Sequence, residues 1–211
     1  SGFTKFMLAC RLFVLLCLLW LGCRAPRSPF DSAAATEMEA ASWAEAQLRT
    51  LTLEQKIGQL FAVRARGLFQ SVDDPEYREL VRLVEHLEVG GVVFFQGDPY
   101  AQAMLANDLQ RRSRIPLLIA QDTEWGVAMR VARTTSFPRA MAIGATGNPQ
   151  YAYAVGYVTA REARALGVHQ LYAPVADVNN NPLNPIINVR AFGEDPYLVA
   201  TMVQAFVRGV G

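Results

Sequence analysis

A short list of carboxylates and arginines carries the chemistry this sequence can offer. The stretch Gln121-Asp122-Thr123-Glu124-Trp125-Gly126 places Asp122 and Glu124 two positions apart, directly behind an apolar run. If the extended conformation of that run persists, both side chains point into one cavity. Paired carboxylates suit general acid–base work or the recognition of sugar hydroxyls. Two carboxylates so close on one strand cannot flank a glycosidic bond without further movement, which favours a recognition role for Asp122. Capping of the following segment is the alternative. Arg130 comes eight positions after Asp122, and its planar guanidinium fits either vicinal hydroxyls or a carboxylate such as Asp122. Arg133 reads as a solvated surface residue.

A second constellation follows Tyr172. The segment Tyr172-Ala-Pro-Val-Ala-Asp177 leads into a long loop rich in asparagine and proline that ends at Arg190-Ala-Phe-Gly-Glu-Asp-Pro196. Loops of that length are uncommon in compact domains unless they serve a function. Asp177 and Asn179–Asn181 can bond the loop's own backbone through Asx turns, a scaffolding role. Arg190 near the loop's end is placed either to re-enter the pocket or to pin the loop to a carboxylate.

The elements that must position these residues alternate from Thr50 onward. Thr52-Leu-Glu-Gln55 matches a capping box with Ile57, Leu60 and Phe61 on one face. Asp74-Pro75, Asp98-Pro99, Asn148-Pro149 and Asp195-Pro196 each set a capping side chain before a proline at the first helical position. Between the helices lie apolar runs at Leu60–Val63, Val89–Phe95, Leu117–Ala120 and Leu171–Val175, with Ala140–Ala145 as a weaker extra strand or loop. Continuous apolar strands alternating with helices predict a parallel sheet buried on both faces. Each run ends in polar residues, the arrangement by which a closed β/α barrel builds its active site at the carboxyl ends of its strands. An open doubly wound sheet would use a glycine-rich phosphate turn, and no such motif occurs. The sequence therefore predicts an α/β fold, the first half of a (β/α)8 TIM-type barrel. Residues 49–211 supply four good strands where a full barrel has eight strands and about 250 residues, so the barrel is expected to be truncated at Gly211.

Composition bounds the remaining classes. Hydrophobic residues make up 52% and charges 18%, which excludes a disordered chain, and the net charge of +1 offers no electrostatic footprint for nucleic acid. That total hides an asymmetry. The first thirty residues hold Lys5, Arg11, Arg24 and Arg27 and no acids, leaving 16 Lys+Arg against 19 Asp+Glu, a net of −3, in residues 31–211. Residues 12–22 are free of charge and follow a basic flank, as in a signal peptide. The run ends Leu21-Gly22-Cys23, which resembles a bacterial lipobox with Trp20 in place of the usual leucine; an ordinary cleaved signal or an uncleaved anchor is the alternative. The expected organisation is a probable-lipoprotein signal peptide over 1–23 with lipidation at Cys23, a tether and lead-in helix over 24–48, and the barrel portion over 49–211. Membrane contact is expected only through that anchor, with a periplasmic or outer-membrane location. Cys10, Cys17 and Cys23 all lie in the leader, so the body has no thiol chemistry. His86 and His169 stand 83 positions apart, which makes a histidine metal site improbable.

The body resembles glycoside hydrolase family 3. The resemblance rests on Leu53-Glu-Gln-Lys-Ile-Gly-Gln-Leu60, Gly90-Gly-Val-Val-Phe-Phe95, Pro116-Leu-Leu-Ile-Ala-Gln-Asp-Thr-Glu124, Phe137-Pro138, and the Ala173–Asn181 and Arg190–Pro196 blocks. Glu124-Trp125-Gly126 and the asparagine run are similar to the exported bacterial branch near the β-N-acetylglucosaminidases; other members are β-glucosidases and β-xylosidases. The resemblance implies hydrolysis of terminal β-linked sugars with retention and without a cofactor. It implies that Asp122 binds sugar hydroxyls and that Arg130 and Arg190 line the same subsite. The nucleophilic aspartate, the acid/base group and a Lys-His motif are expected beyond Gly211, so these 211 residues alone are expected to be inactive. Trp125, where many relatives have glycine, alters the subsite's shape. Two other classes compete: a lipid-anchored sugar-binding module without catalysis, and a barrel enzyme for phosphorylated substrates, against which the missing phosphate-binding glycines count.

Overall fold

The structure, a computed structural model, describes residues 29–211, so the leader with Cys10, Cys17 and Cys23 lies outside the described residues. The chain divides into two units, one ending at Leu51 and one comprising Thr52–Gly211. In the first, helix α1 spans Pro29–Thr50. It begins well inside the stretch expected to be a tether. Pro29 stands at its first position, alanine and glutamate fill its length, and a Glu45–Arg49 pair at 3.2 Å supports its last turns. Among the described residues no helix is long and apolar enough to cross a membrane.

In the second unit the helices start where their caps predict. Thr52 Oγ1 accepts the Gln55 amide at 3.3 Å and Gln55 Oε1 accepts the Thr52 amide at 2.8 Å, opening α2 (Leu53–Gly58). Asp74, Asp98, Asn148 and Asp195 each accept the amide two residues on, at 2.8, 3.0, 3.0 and 2.9 Å. They open α3 (Pro75–Glu85), α4 (Pro99–Arg112), α6 (Pro149–Ala165) and α7 (Pro196–Val210). Each proline occupies a position whose missing N–H has no helical partner to lose.

The strands are β1 (Ala62–Gly67), β2 (Gly91–Gly97), β3 (Leu118–Gln121) and β4 (Gln170–Leu171). They differ from the expected runs in several places, β2 starting at Gly91 and not at Val89 and β3 at Leu118 and not at Leu117. Leu60 and Phe61 belong to the turn that closes α2, their amides bonded to Ile57 and Gly58, so β1 starts two residues late. Ala140–Gly144 is a short helix, α5, and not a strand. Of Leu171–Val175 only Leu171 stays in the ladder; Pro174 has no N–H to donate and the chain leaves the sheet before it.

All pairs are parallel, in the order β1-β2-β3-β4. Every crossover steps the same way, with no reversal of strand order, which is barrel winding and excludes the doubly wound alternative. Ala65, Val92, Phe94 and Ile119 turn one face of the sheet into a core with Leu80 and Val84 of α3 and Leu105, Ala106 and Leu109 of α4. A second cluster joins Ile143, Ala152, Val155, Phe192, Val199, Met202 and Phe206 beneath α5, α6 and α7. Because side chains alternate along a strand, Arg64, Val93, Phe95, Leu118, Ala120 and Asp122 belong to the face turned away from the helices.

Candidate functional site

Asp122 is the first residue past β3, and the alternation that buries Ile119 and Gln121 on the helix side sets Asp122 on the opposite one. Its carboxylate accepts a hydrogen bond from Arg130 Nη2 at 2.5 Å. Arg130 is held there by its backbone. Its carbonyl accepts the Gly97 amide at 2.8 Å, and Ala132 N–H returns to the Gly97 carbonyl at 3.0 Å, which ties the loop after β3 to the end of β2. The guanidinium then lies 4.6 Å from the centre of the Phe95 ring. The pair is largely shielded, with side-chain exposures of 16% for Arg130 and 26% for Asp122, so the ion pair acts in a low effective dielectric. Arg130 Nε is buried with no acceptor, an unused donor beside the carboxylate.

Gly126 makes the turn that brings Arg130 back. Its φ is +98°, and a Cβ there would stand 2.4 Å from the Thr135 carbonyl oxygen, so only glycine fits. Phe137 N–H to the Trp125 carbonyl at 2.9 Å and the Glu162 carboxylate on Thr135 N and Oγ1, at 3.0 and 2.5 Å, close the rest of this loop. The Trp125 ring is covered by the Arg139 guanidinium at 3.2 Å from its centre, a cation–π contact.

Glu124 does not stand beside Asp122 as a bare carboxylate pair. The strand ends at Gln121, and Glu124 instead takes Arg190 in a two-pronged bridge, Nε to Oε2 at 2.9 Å and Nη2 to Oε1 at 2.8 Å. Of the two readings open for Arg190, pinning the loop to a carboxylate is the one realised. The carboxylate's two bonds raise the Arg190 guanidinium above its ordinary pKa against the opposing effect of burial, and the charges of Asp177 and Asp122 act in the same direction. Asp122, Glu124, Asp177, Arg130 and Arg190 therefore converge at the carboxyl ends of β3 and β4. Arg133 leaves the group, pairing with the Asp98 cap at the surface. The asparagine loop scaffolds itself in part: Asn181 Oδ1 accepts the Leu183 amide at 3.0 Å, while Asn179 is buried with Oδ1 unpartnered. His169 has a structural place, its Nδ1 accepting the Ile119 amide at 3.1 Å.

The choice of Glu124 as the carboxylate that Arg190 pins, and the Phe95 platform, are not legible in the sequence. The bridge joins residues 66 apart, and no local pattern announces a contact at that separation. Phe95 looked like one more core residue of an apolar strand.

Barrel winding with charged residues gathered where the strands end defines a β/α-barrel domain. Residues 52–211 match the glycosyl hydrolase family 3 N terminal domain, and the chain belongs to that family. A β-N-acetylglucosaminidase/β-glucosidase of Cellulomonas fimi is 35% identical over 169 residues, covering 80% of this chain and 29% of that protein. A β-hexosaminidase A of Pseudoalteromonas piscicida is 38% identical over 143 residues, 62% of this chain and 24% of that one. Among solved structures, a β-glucoside phosphorylase bound to 2FGlc superposes with a TM-score of 0.73 at 30% identity, over 82% of this chain and 30% of that one. The chain thus spans under a third of the length of these relatives.

Proposed function

We propose that this chain is the sugar-recognising portion of a glycosidase that removes terminal β-linked residues, with β-N-acetylglucosaminides favoured, and that it needs no cofactor. The observation that carries the reading is the Asp122–Arg130 pair at the mouth of the sheet, beside the Glu124–Arg190 bridge. Asp122 has an acceptor oxygen left for sugar hydroxyls, and Arg130, held on Phe95, keeps that carboxylate aimed. Arg190 anchors the second wall of the same subsite. Binding and orienting the sugar is the work of these residues. The carboxylate that attacks the anomeric carbon and the group that protonates the leaving oxygen are assigned to chain following Gly211.

The preference for N-acetylglucosaminides draws on Glu124-Trp125-Gly126 and on the two curated relatives named above. β-Glucosides are the second reading, supported by the dual name of the Cellulomonas protein and by the solved glucoside phosphorylase. We further assign the leader to export and Cys23 to lipid attachment.

The test is turnover of 4-nitrophenyl β-N-acetylglucosaminide and 4-nitrophenyl β-glucoside by the protein with its chain continued past Gly211. The expected result is preferential release from the first, a loss in kcat/KM on the order of a hundredfold for Asp122→Asn, and no turnover by the 211 residues alone. Release from neither compound rejects the proposal.

A further inference from the structure

A buried side-chain pair behind the strand ends joins the two residues of the sugar subsite. Gln121 precedes Asp122 and turns to the helix side of the sheet, where Gln102 of α4 meets it. Gln121 Nε2 donates to Gln102 Oε1 at 3.1 Å, and both residues are 0% exposed. Gln102 also lies against the ends of β1 and β2. A Cβ on Gly67 would stand 2.8 Å from Gln102 Cβ, and one on Gly97 would stand 3.1 Å from Gln102 Oε1. The two glycines, in register with each other, open the space that the Gln102 side chain fills. Gly97 is also the residue whose N–H and C=O hold the backbone at Arg130 and Ala132, at 2.8 and 3.0 Å. One side chain of α4 is therefore packed on the anchor of Arg130 and bonded to the neighbour of Asp122. Its seat is enclosed by α4 and three strands, on the sheet face opposite the one Asp122 occupies.

As a stability element this pair is costly. It makes one hydrogen bond, while Gln102 Nε2 and Gln121 Oε1 are buried without a partner among the described residues. Two apolar side chains of the same shape would avoid that desolvation. What the amides add is geometry, because a hydrogen bond fixes distance and direction where methylene contacts slide.

We propose that Gln102 and Gln121 are positioning residues of the sugar site, a buried clamp that sets Asp122 against Arg130 from behind. This role rests on the reading of Asp122 and Arg130 as the sugar subsite and adds the element, α4, that holds its geometry. Neither amide touches the ligand; the clamp acts through Asp122 and Gly97.

The experiment uses the complete enzyme and the double variant Gln102→Met/Gln121→Met, which keeps side-chain length and removes every polar group of the pair. Denaturant unfolding is expected to give a midpoint at or above that of the wild type. On the preferred 4-nitrophenyl glycoside, kcat/KM is expected to fall about tenfold. That loss should disappear where the clamp has nothing left to aim. Added to Asp122→Asn, the same two substitutions should lower kcat/KM by less than about twofold. The proposal is overturned by an unchanged kcat/KM, by an unfolding midpoint that drops along with activity, or by a tenfold loss that persists on Asp122→Asn. A double variant that does not fold makes the pair a stability element and overturns it as well; Gln102→Leu/Gln121→Leu repeats the measurement with a second apolar shape. No turnover by the wild type, or an Asp122→Asn variant as active as the wild type, removes the subsite reading and the clamp with it. The expected Asp122→Asn loss beside an indifferent double variant removes only the clamp.

Discussion

The bridge between Glu124 and Arg190 sets how the two loops of the site meet, and its value lies in its geometry. Two parallel N–H···O bonds fix both position and angle, which a single point charge cannot do. Glu124 is well shielded, with 10% side-chain exposure, while Arg190 retains 34%, so solvent screens part of the interaction. Arg190→Lys keeps the charge and loses the fork. It is expected to cost about 1–2 kcal/mol of stability, seen in denaturant unfolding, and to raise KM more than it lowers kcat in the complete enzyme. An unchanged unfolding midpoint would show that the bridge follows the loops' arrangement and does not maintain it. The contrast with Asp122 is instructive, since the sequence offered Asp122 as one of two possible partners for Arg130, eight residues away on one loop, the other being vicinal hydroxyls. Nothing in the spacing of Glu124 and Arg190 singles out that pairing.

Helices α3 and α4 carry the sheet's outer layer, and polar contacts lock them, among them Arg112 Nη1 to Glu85 Oε1 at 2.6 Å. Tyr77 Oη donates to Asp108 Oδ2 at 2.8 Å, and Arg112 Nε reaches the same oxygen at 2.9 Å. Burial of Asp108 opposes its ionisation, but the bonds from Arg112 and Tyr77 outweigh it and hold the carboxyl below its ordinary pKa. A depressed folded-state pKa contributes stability above the unfolded value, and that stability is lost as pH falls through the folded one. Asp108→Asn should therefore cost about 1 kcal/mol at neutral pH, with the gap to wild type closing below about pH 4. Thermal unfolding across an acid series measures it; a gap that stays constant with pH contradicts the assignment.

Between α6 and α7 the determinant is space. A Cβ on Gly156 would lie 2.3 Å from the backbone oxygen of Phe206, which no side-chain rotation relieves. Gly156→Ala should part the helices and destabilise the protein by about 1–3 kcal/mol despite alanine's better helix propensity, a sign that unfolding experiments read directly. These helices were legible from Asn148-Pro149 and Asp195-Pro196 because a cap is decided within two residues. Strand limits were less so: the rule that marks apolar runs cannot say that α2 closes through Leu60 and Phe61, or that α5 replaces a strand at Ala140.

The assembled second unit presents a sheet whose order never reverses, with helices on one face and charged residues on the other. That asymmetry suits an enzyme barrel, where one layer supplies rigidity and the strand ends supply chemistry. The assignment of Cys23 to lipid attachment also bears on the protein's location. Expressed in a bacterial host with its leader, the wild type is expected in the detergent-extracted membrane fraction. Cys23→Ser should move it to the aqueous fraction without altering turnover by the complete enzyme. Retention of the variant in the membrane fraction would argue for an uncleaved anchor.

Taken alone, the sequence determined the helix starts, the positions of the strands to within a few residues, and the family, and it marked Asp122 and Arg130 as site residues. All of these depend on neighbours close along the chain or on a motif that carries its own context. Only the tertiary structure decided that Glu124 belongs to Arg190 and that Phe95 supports two guanidinium groups. Those outcomes depend on which face each strand turns to the helices and on contacts between residues 31 to 66 positions apart. Packing sets both, and no local pattern encodes them.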